Sequence, residues 1–141
     1  MCLAHIQNKT QMMERQNFSS GTLWEDRAGY SRLVKVGPFI EVAGTTASDG
    51  KMVHSKGDVQ GQTRYIFESI SKVLEEAGSK LNDVVRVRIY LSDARRWQEV
   101  AAEHVHFFGD IKPVMTLVEA KFVHPDILVE IEASAIVSSE I

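Results

Sequence analysis

The chain predicts an α+β fold in which two helices pack on one face of a mostly antiparallel β-sheet. Two segments have apolar residues at helical spacing, several short segments alternate apolar and polar residues, and glycine or proline separates them. The length of 141 residues is that of one domain, and 44% apolar with 25% charged residues is a globular composition. We expect one domain over 17–141 behind an N-terminal arm, 1–16, whose order the sequence leaves open.

The first predicted element is a β-hairpin within 31–46. Apolar residues dominate 33–36 and 39–42, on either side of Gly37 and Pro38. Because proline has no N–H to donate to a β-ladder, Pro38 belongs in the turn or at its edge.

The segment 58–78 predicts a long helix. Asp58 is a suitable N-cap, and Gly78 suits the position just after the helix. One apolar face is formed by residues three and four positions apart, namely Thr63, Ile66, Phe67, Ile70, Val73, Leu74 and Ala77.

A strand is predicted at 84–91, and its two faces differ. The alternation places Val85, Val87, Ile89 and Leu91 on one face and Arg86, Arg88 and Tyr90 on the other. The second face meets solvent, a neighbouring subunit or a ligand cleft.

A second helix is predicted from Asp93 or Ala94 to Gly109, with Pro113 beyond its end. Its apolar face includes Trp97, expected in the core, and His104, expected as a hydrogen-bonded core residue.

Two final strands, 115–123 and 128–137, complete the order ββαβαββ. The sheet face away from the helices carries arginine, tyrosine, glutamate and small residues, too mixed for a closed core. We favour packing of this face against copies of the same chain in a closed ring.

Composition disfavours several classes of protein. The net charge of −3 lacks the basic field of a nucleic-acid binder, and no apolar run reaches the ~20 residues that span a membrane. Cys2 is the only cysteine, so no disulfide forms within the chain. His104 and His106 diverge on a helix, and no metal site is predicted. A reducing cytoplasm is the expected location.

The C-terminal third carries a recognisable pattern. It reads F-F-G-D-I-K-P-V-M-T-L-V-E-A over 107–120 and H-P-D-I-L-V-E-I-E-A-S-A over 124–135. These segments, together with 29–37, 58–78 and 83–93 in the same order, resemble the Rid/YjgF family. Its members are also described as endoribonuclease L-PSP or translation initiation inhibitors.

The resemblance implies a chorismate-mutase-like fold and a homotrimer whose sheets line a central barrel, with a ligand cleft at each subunit boundary. It also implies hydrolysis of imines or enamines to 2-oxo acids and ammonia, without metal or cofactor.

Three matched positions carry the implied site. Glu130 matches the cleft glutamate that would hold the attacking water, Tyr30 matches a cleft tyrosine, and Gly44 matches a glycine whose backbone lies near the ligand. The alternatives are a solvated strand residue for Glu130, packing at the subunit boundary for Tyr30, and a tight strand end for Gly44.

At two positions the sequence departs from the family pattern and lacks a polar contact to the ligand. Met115 stands where the active deaminases carry a carboxylate-binding arginine, and Ala101 stands where the archetype often has asparagine. A thioether offers neither charge nor a strong donor. Arg88 or Arg32 is the candidate replacement for the missing cation.

Whether the protein is an enzyme therefore stays open at this point. One hypothesis is a hydrolase with an altered anion clamp. The other is a non-catalytic trimer whose clefts bind a small metabolite. Ribonuclease activity is disfavoured by the acidic balance and by the lack of a histidine pair for acid–base cleavage.

Overall fold

The computed structural model describes residues 13–138, which form one sheet with two long helices on one face. In chain order the strands and helices of this part are β1 Arg15–Phe18, α1 Leu23–Ala28, β2 Leu33–Val36, β3 Phe39–Thr45, α2 Val59–Glu76, β4 Val84–Leu91, α3 Trp97–Phe108, β5 Val114–Glu119 and β6 Val129–Ile136. Short 3₁₀ turns at 81–83 and 94–96 lead into β4 and α3. The α+β fold class is confirmed.

The six strands of this region lie in the order β1-β2-β3-β6-β4-β5. All neighbouring strands are antiparallel except β4 and β5, which run parallel because α3 connects them as a crossover. The last strand in sequence, β6, therefore lies in the middle of the sheet, between β3 and β4. This insertion places residues of β6 against residues far away in the sequence.

Two elements were not predicted. Strand β1 has the sequence R-Q-N-F and pairs with β2, with Phe18 opposite Leu33. The six-residue helix α1 follows it. The predicted boundary between arm and domain falls inside β1, and residues 1–12 of the arm lie outside the described residues. No helix within 13–138 is long and apolar enough to cross a membrane.

The core lies between the sheet and the two helices. Phe67 of α2 is fully buried and contacts the aromatic rings of α3, with ring centroids 5.3 Å from Phe107 and 5.2 Å from Phe108. The alternating residues of β6 that face the helices are buried as well, namely Val129, Ile131, Ala133 and Ala135. The predicted apolar face of α2 is confirmed.

Gln62, a polar residue of α2, is also buried within this core. Its side-chain amide donates to the carbonyl of Asp126 at 2.8 Å, and its carbonyl accepts from the N–H of Leu128 at 3.0 Å. Both polar ends of Gln62 are therefore satisfied in the interior. The pair of bonds fixes the loop that leads directly into β6.

Three detailed expectations were wrong. Val85 is 43% exposed, and Val84 is buried instead, because the pairing of β4 with β6 shifts between Val84 and Arg86. Trp97, at the start of α3, is 52% exposed and so is not a core anchor. His104 packs against Phe67, and burial lowers its pKa, but its Nε2 has no hydrogen-bond partner within 13–138.

The predicted caps of α2 are confirmed. Asp58 accepts a hydrogen bond from the N–H of Gly61 at 2.9 Å. At the other end Gly78 takes a left-handed φ of 78°, its N–H reaches Glu75, and the N–H of Ser79 reaches the carbonyl of Leu74. This pair of bonds is the Schellman arrangement.

Replacing Asp58 with alanine should destabilise the fold by about 1 kcal/mol, because the N–H of Gly61 loses its acceptor at the helix start. Urea unfolding of wild type and variant measures the difference. Asp58→Asn keeps the acceptor oxygen and should lose much less stability. Equal losses of stability in both variants would show that the cap contributes nothing.

Candidate functional site

A cleft of about 550 Å³ opens beside the end of β3. Its walls come from the segment before α1, from the residues around β2 and β3, from α2, and from the start of β6. The lining residues that carry charge or an aromatic ring are Trp24, Tyr30, Arg32, Asp49, Lys72, Glu76 and Glu130. Seven serine and threonine residues also line the cleft, which is thus a polar site with one indole at its border.

Glu130 and Gly44 are brought together by the insertion of β6 beside β3. A Cβ placed on Gly44 would lie 2.8 Å from Oε1 of Glu130 and 3.1 Å from its Cδ. The pairing of β3 with β6 is irregular between Val42 and Thr45, where Gly44 lies. Glycine is needed here for close approach, because the carboxyl group of Glu130 occupies the space of a side chain.

The carboxyl group of Glu130 is partly buried, and burial raises its pKa. The negative charge of Glu132 raises it further, while the positive charge of Arg32 opposes both effects. A carboxyl group whose pKa is shifted upward toward neutrality can both accept and return a proton. A raised pKa together with access to a cleft is what a general acid–base carboxyl group requires.

Arg32 is anchored beside Glu130. Its Nη2 donates to the carbonyl of Gly44 at 2.7 Å, and its Nε is buried without a hydrogen-bond partner in the described part of the chain. The backbone N–H of Arg32 bonds Phe18, and its carbonyl accepts from Ala43, which fixes the chain between β1 and β3. The guanidinium is therefore held at the cleft by strand pairing.

Tyr30 is 43% exposed and follows Gly29, the left-handed residue that ends α1. The N–H groups of Gly29 and Tyr30 both bond the carbonyl of Glu25. These bonds place the ring of Tyr30 at the border of the cleft, on the same side of the chain as Trp24.

Helix α1 carries Trp24 to the cleft and is fixed by the buried carboxylate of Glu25. The backbone N–H of Ser20 donates to Glu25 at 3.0 Å, its hydroxyl also donates, and the hydroxyl of Thr22 does so at 3.2 Å. Burial would raise the pKa of Glu25, but these hydrogen bonds and one from Ser19 outweigh it and lower the pKa to about 2.

Because its folded-state pKa is depressed, Glu25 stabilises the fold above its ordinary pKa of 4.5, and that contribution disappears as the pH falls toward 2. We expect Glu25→Gln to cost about 1 kcal/mol at neutral pH. The difference from wild type should shrink on acidification. Urea unfolding between neutral pH and about pH 3 measures it. Asp26→Asn, exposed on the same helix, is the matched control, and an equal pH-dependent loss there would contradict this role of Glu25.

The loop after β3 is braced by a second carboxylate. Asp49 accepts from the N–H groups of Met52 and Lys51 and contacts His54 at 2.9 Å, and these bonds lower its pKa to about 2. The His54 ring stacks on Tyr65 of α2 with centroids 4.6 Å apart. Asp49 is thus engaged in holding the loop, although it also lines the cleft.

Three residues expected at the site do not line this cleft. Arg88 lies 3.9 Å from Glu132, a residue of the neighbouring strand β6, whose carboxylate also accepts from Tyr90 at 2.7 Å. Met115 is on β5, opposite Val87, and is 46% exposed. Ala101 is half-buried on α3. Tyr30, Arg32, Gly44 and Glu130, in contrast, all line the cleft.

Among residues 13–138, no group of three or more histidine, cysteine, aspartate or glutamate side chains is arranged to hold a metal ion.

Comparison with known proteins agrees with this architecture. The family model described as endoribonuclease L-PSP matches residues 24–137. The chain belongs to this family. A RutC family protein of Pyrococcus abyssi is 42% identical over 109 residues, which cover 75% of this chain and 84% of that protein. This match, together with a solved structure of the YjgF/YER057c/UK114 family, confirms the Rid/YjgF resemblance.

Solved structures of the family share the fold. A member of the YjgF/YER057c/UK114 family from Mycobacterium tuberculosis superposes with a TM-score of 0.80 at 45% identity, covering 88% of this chain and all of that one. RidA from a Psychrobacter species of Antarctica gives a TM-score of 0.69 at 27% identity, over 76% of this chain and 87% of that one.

Lys72 and Trp24 are among the cleft residues of this family member that the sequence did not predict. Lys72 lies on the polar face of α2, where a lysine resembles any solvated charge. Trp24 follows Thr22 and precedes Glu25, and the pattern T-L-W-E matches a capping box at the start of a helix. That motif was the available signal for α1.

Proposed function

We propose that each cleft binds a small 2-imino or 2-enamino acid and hydrolyses it to a 2-oxo acid and ammonia, with no metal or cofactor. The observation that carries the proposal is Glu130, whose pKa is raised by burial and whose carboxyl group sits against Gly44 in a polar cleft beside Arg32 and Tyr30. A catalytic carboxyl group needs this combination of access and tuned pKa.

The proposed reaction starts from the iminium form of the substrate. The carboxylate of Glu130 accepts a proton from a water molecule while the water oxygen bonds the iminium carbon, giving a neutral carbinolamine. Protonated Glu130 then returns its proton to the amine nitrogen, and the C–N bond breaks. Ammonia leaves, takes up the proton of the remaining hydroxyl group and departs as ammonium, and the 2-oxo acid is left behind. Glu130 ends as it began.

Tyr30 completes the proposed machinery. Its phenol borders the cleft and can hold the water molecule or the departing nitrogen by a hydrogen bond. Since imines already react with water without help, orientation by Glu130 and Tyr30 supplies much of the acceleration.

We further propose that the protein is a cytoplasmic homotrimer, with the sheet face away from the helices directed toward the other copies. Val114 and Val118 are exposed on the edge strand β5, and that face of the sheet also carries Arg86, Arg88 and Tyr90. Sedimentation should give three times the mass of one chain. A monomer would contradict this assembly.

The test of the hydrolase is a competition assay. An amino-acid oxidase generates 2-imino acids in the presence of semicarbazide, and the purified protein should suppress semicarbazone formation at sub-stoichiometric concentration. No suppression with imines from several amino acids would contradict the proposal.

Met115 favours a second candidate, a trimer that binds a metabolite without turning it over. The side chain offers no charge where the active deaminases of the family have arginine. Under this reading the wild-type protein is inactive in the same assay, and Met115→Arg gains turnover of 2-aminoacrylate. If the wild-type protein is active and Met115→Arg does not change that activity, the non-catalytic candidate is excluded.

We do not propose RNA cleavage, although the family model is named for it. Two cations of the cleft face three carboxylates, those of Asp49, Glu76 and Glu130, and this balance does not attract a polyanionic chain.

A further inference from the structure

The cleft contains two cations from different elements of the fold. Arg32 directly precedes β2, and Lys72 belongs to α2. On the helix, Lys72 shares one wall with Ser69 and Glu76, which are three and four residues away and therefore on the same side. The cleft thus presents positive charge both from the sheet and from the helix that covers it.

Neither cation is neutralised by a salt bridge within residues 13–138. Lys72 has no ion pair there, and the one hydrogen bond of the Arg32 side chain goes to a backbone carbonyl. Other arginines do pair with carboxylates, as Arg64 does with Glu103 at 2.6 Å and Arg95 with Asp93 at 2.8 Å. Both cations of the cleft are therefore available for an anion.

Their position complements that of Glu130. A 2-iminium acid carries a positive nitrogen and a negative carboxylate on neighbouring carbons. Glu130 in its ionised form attracts the first group, and Arg32 and Lys72 attract the second. The mixture of charges that disfavours RNA is suited to such a zwitterion.

We propose that Lys72 and Arg32 form an anion subsite that holds the substrate's carboxylate, in place of the arginine that Met115 replaces. This assignment rests on the proposed function for the identity of the substrate, a 2-imino carboxylate. Arg88 is not part of the proposed subsite, because it lies beside Glu132 and does not line the cleft of its own chain. Lys72 and Arg32 bind substrate and thereby position its imine carbon at Glu130.

The subsite is tested by binding, which requires no turnover. The probe is 2-oxobutyrate, and 2-oxobutyramide is the matched neutral molecule. Trp24 borders the cleft and is 64% exposed, so its fluorescence reports occupancy once the other tryptophan is removed by Trp97→Phe. The acid should bind with a Kd in the usual range for metabolites, below about 1 mM, and the amide at least about tenfold more weakly.

The variants separate the subsite from unspecific effects. Lys72→Met should raise the Kd for 2-oxobutyrate about tenfold and leave Tm unchanged, since an exposed helix position tolerates methionine. Arg32→Gln should weaken binding at least as much, and Arg32→Lys should restore part of it. Lys80→Met, at an exposed lysine whose side chain caps nothing, is the control and should bind like wild type.

The results also separate this subsite from the proposed hydrolase. Equal affinity for acid and amide, or an unchanged Kd in both Lys72→Met and Arg32→Gln, overturns the subsite even where wild type turns over imines. Charge-selective binding that both variants weaken supports it, even where the semicarbazide assay shows no turnover and the hydrolase itself is wrong.

Discussion

Glu130→Gln should lower the turnover of imines about a hundredfold to ten-thousandfold, the range expected for loss of a general acid–base group. Glutamine keeps the size of the side chain but cannot take a proton from water. The semicarbazide assay under saturating substrate measures the loss of kcat. Binding of 2-oxobutyrate should not weaken, because Arg32 and Lys72 remain and a negative charge beside them is removed.

The stability of the fold should rise in Glu130→Gln, whereas turnover falls. Since burial raises the folded-state pKa of Glu130, its protonated form favours the fold at low pH, and that advantage is lost as the pH rises through the raised pKa. The neutral glutamine avoids this loss, so Glu130→Gln should have a higher Tm than wild type at neutral pH. The advantage should disappear below the ordinary glutamate range. A gain in stability with a loss of turnover is typical of a catalytic group.

The pH profile provides the control for Glu130. Because its carboxylate form accepts the proton, kcat/KM should fall as the pH drops through the raised pKa. Glu132→Gln removes a neighbouring negative charge that raises this pKa, so the acid limb of the profile should move to lower pH. An unmoved limb, or full turnover in Glu130→Gln, would assign the proton transfer to another group.

Local rules explain why the helices and most strands could be predicted. The caps of α2 at Asp58 and Gly78 and its apolar face are encoded within consecutive residues, and the structure confirms them. Strand β1 has no such signal, because R-Q-N-F becomes a strand only through pairing with β2. The outward turn of Val85 depends on an irregular pairing of β4 with β6, which no alternation within β4 reveals.

The site was visible only through resemblance. Gly44 and Glu130 are far apart in sequence, and nothing in the spacing of either says that they meet. Their contact arises because β6 inserts between β3 and β4. Arg88 was placed on the correct face of β4, but its partner Glu132 lies on a neighbouring strand and could not be inferred from the alternation. Lys72 was missed for the corresponding reason, since the cleft that it borders is formed by distant segments.

Gly44→Ala should reduce kcat by up to about a hundredfold while the fold stays intact. The added Cβ would lie 2.8 Å from Oε1 of Glu130, closer than a normal contact, so one of the two must move. Gly44 has no left-handed φ that would strain an alanine. The flexible carboxyl end of Glu130 therefore yields, and Tm should stay within a few degrees of wild type.

This displacement should affect turnover more than binding. The carbonyl of Gly44 persists in alanine and continues to accept from Arg32, so KM should change far less than kcat. The decisive comparison is the double variant. If Gly44→Ala acts by moving Glu130, it should have no further effect on turnover in a Glu130→Gln background, where the proton acceptor is already absent. Additive losses of kcat would mean that Gly44 contacts the substrate directly. An unchanged kcat in Gly44→Ala alone would mean that turnover does not depend on the position of the Glu130 carboxyl group.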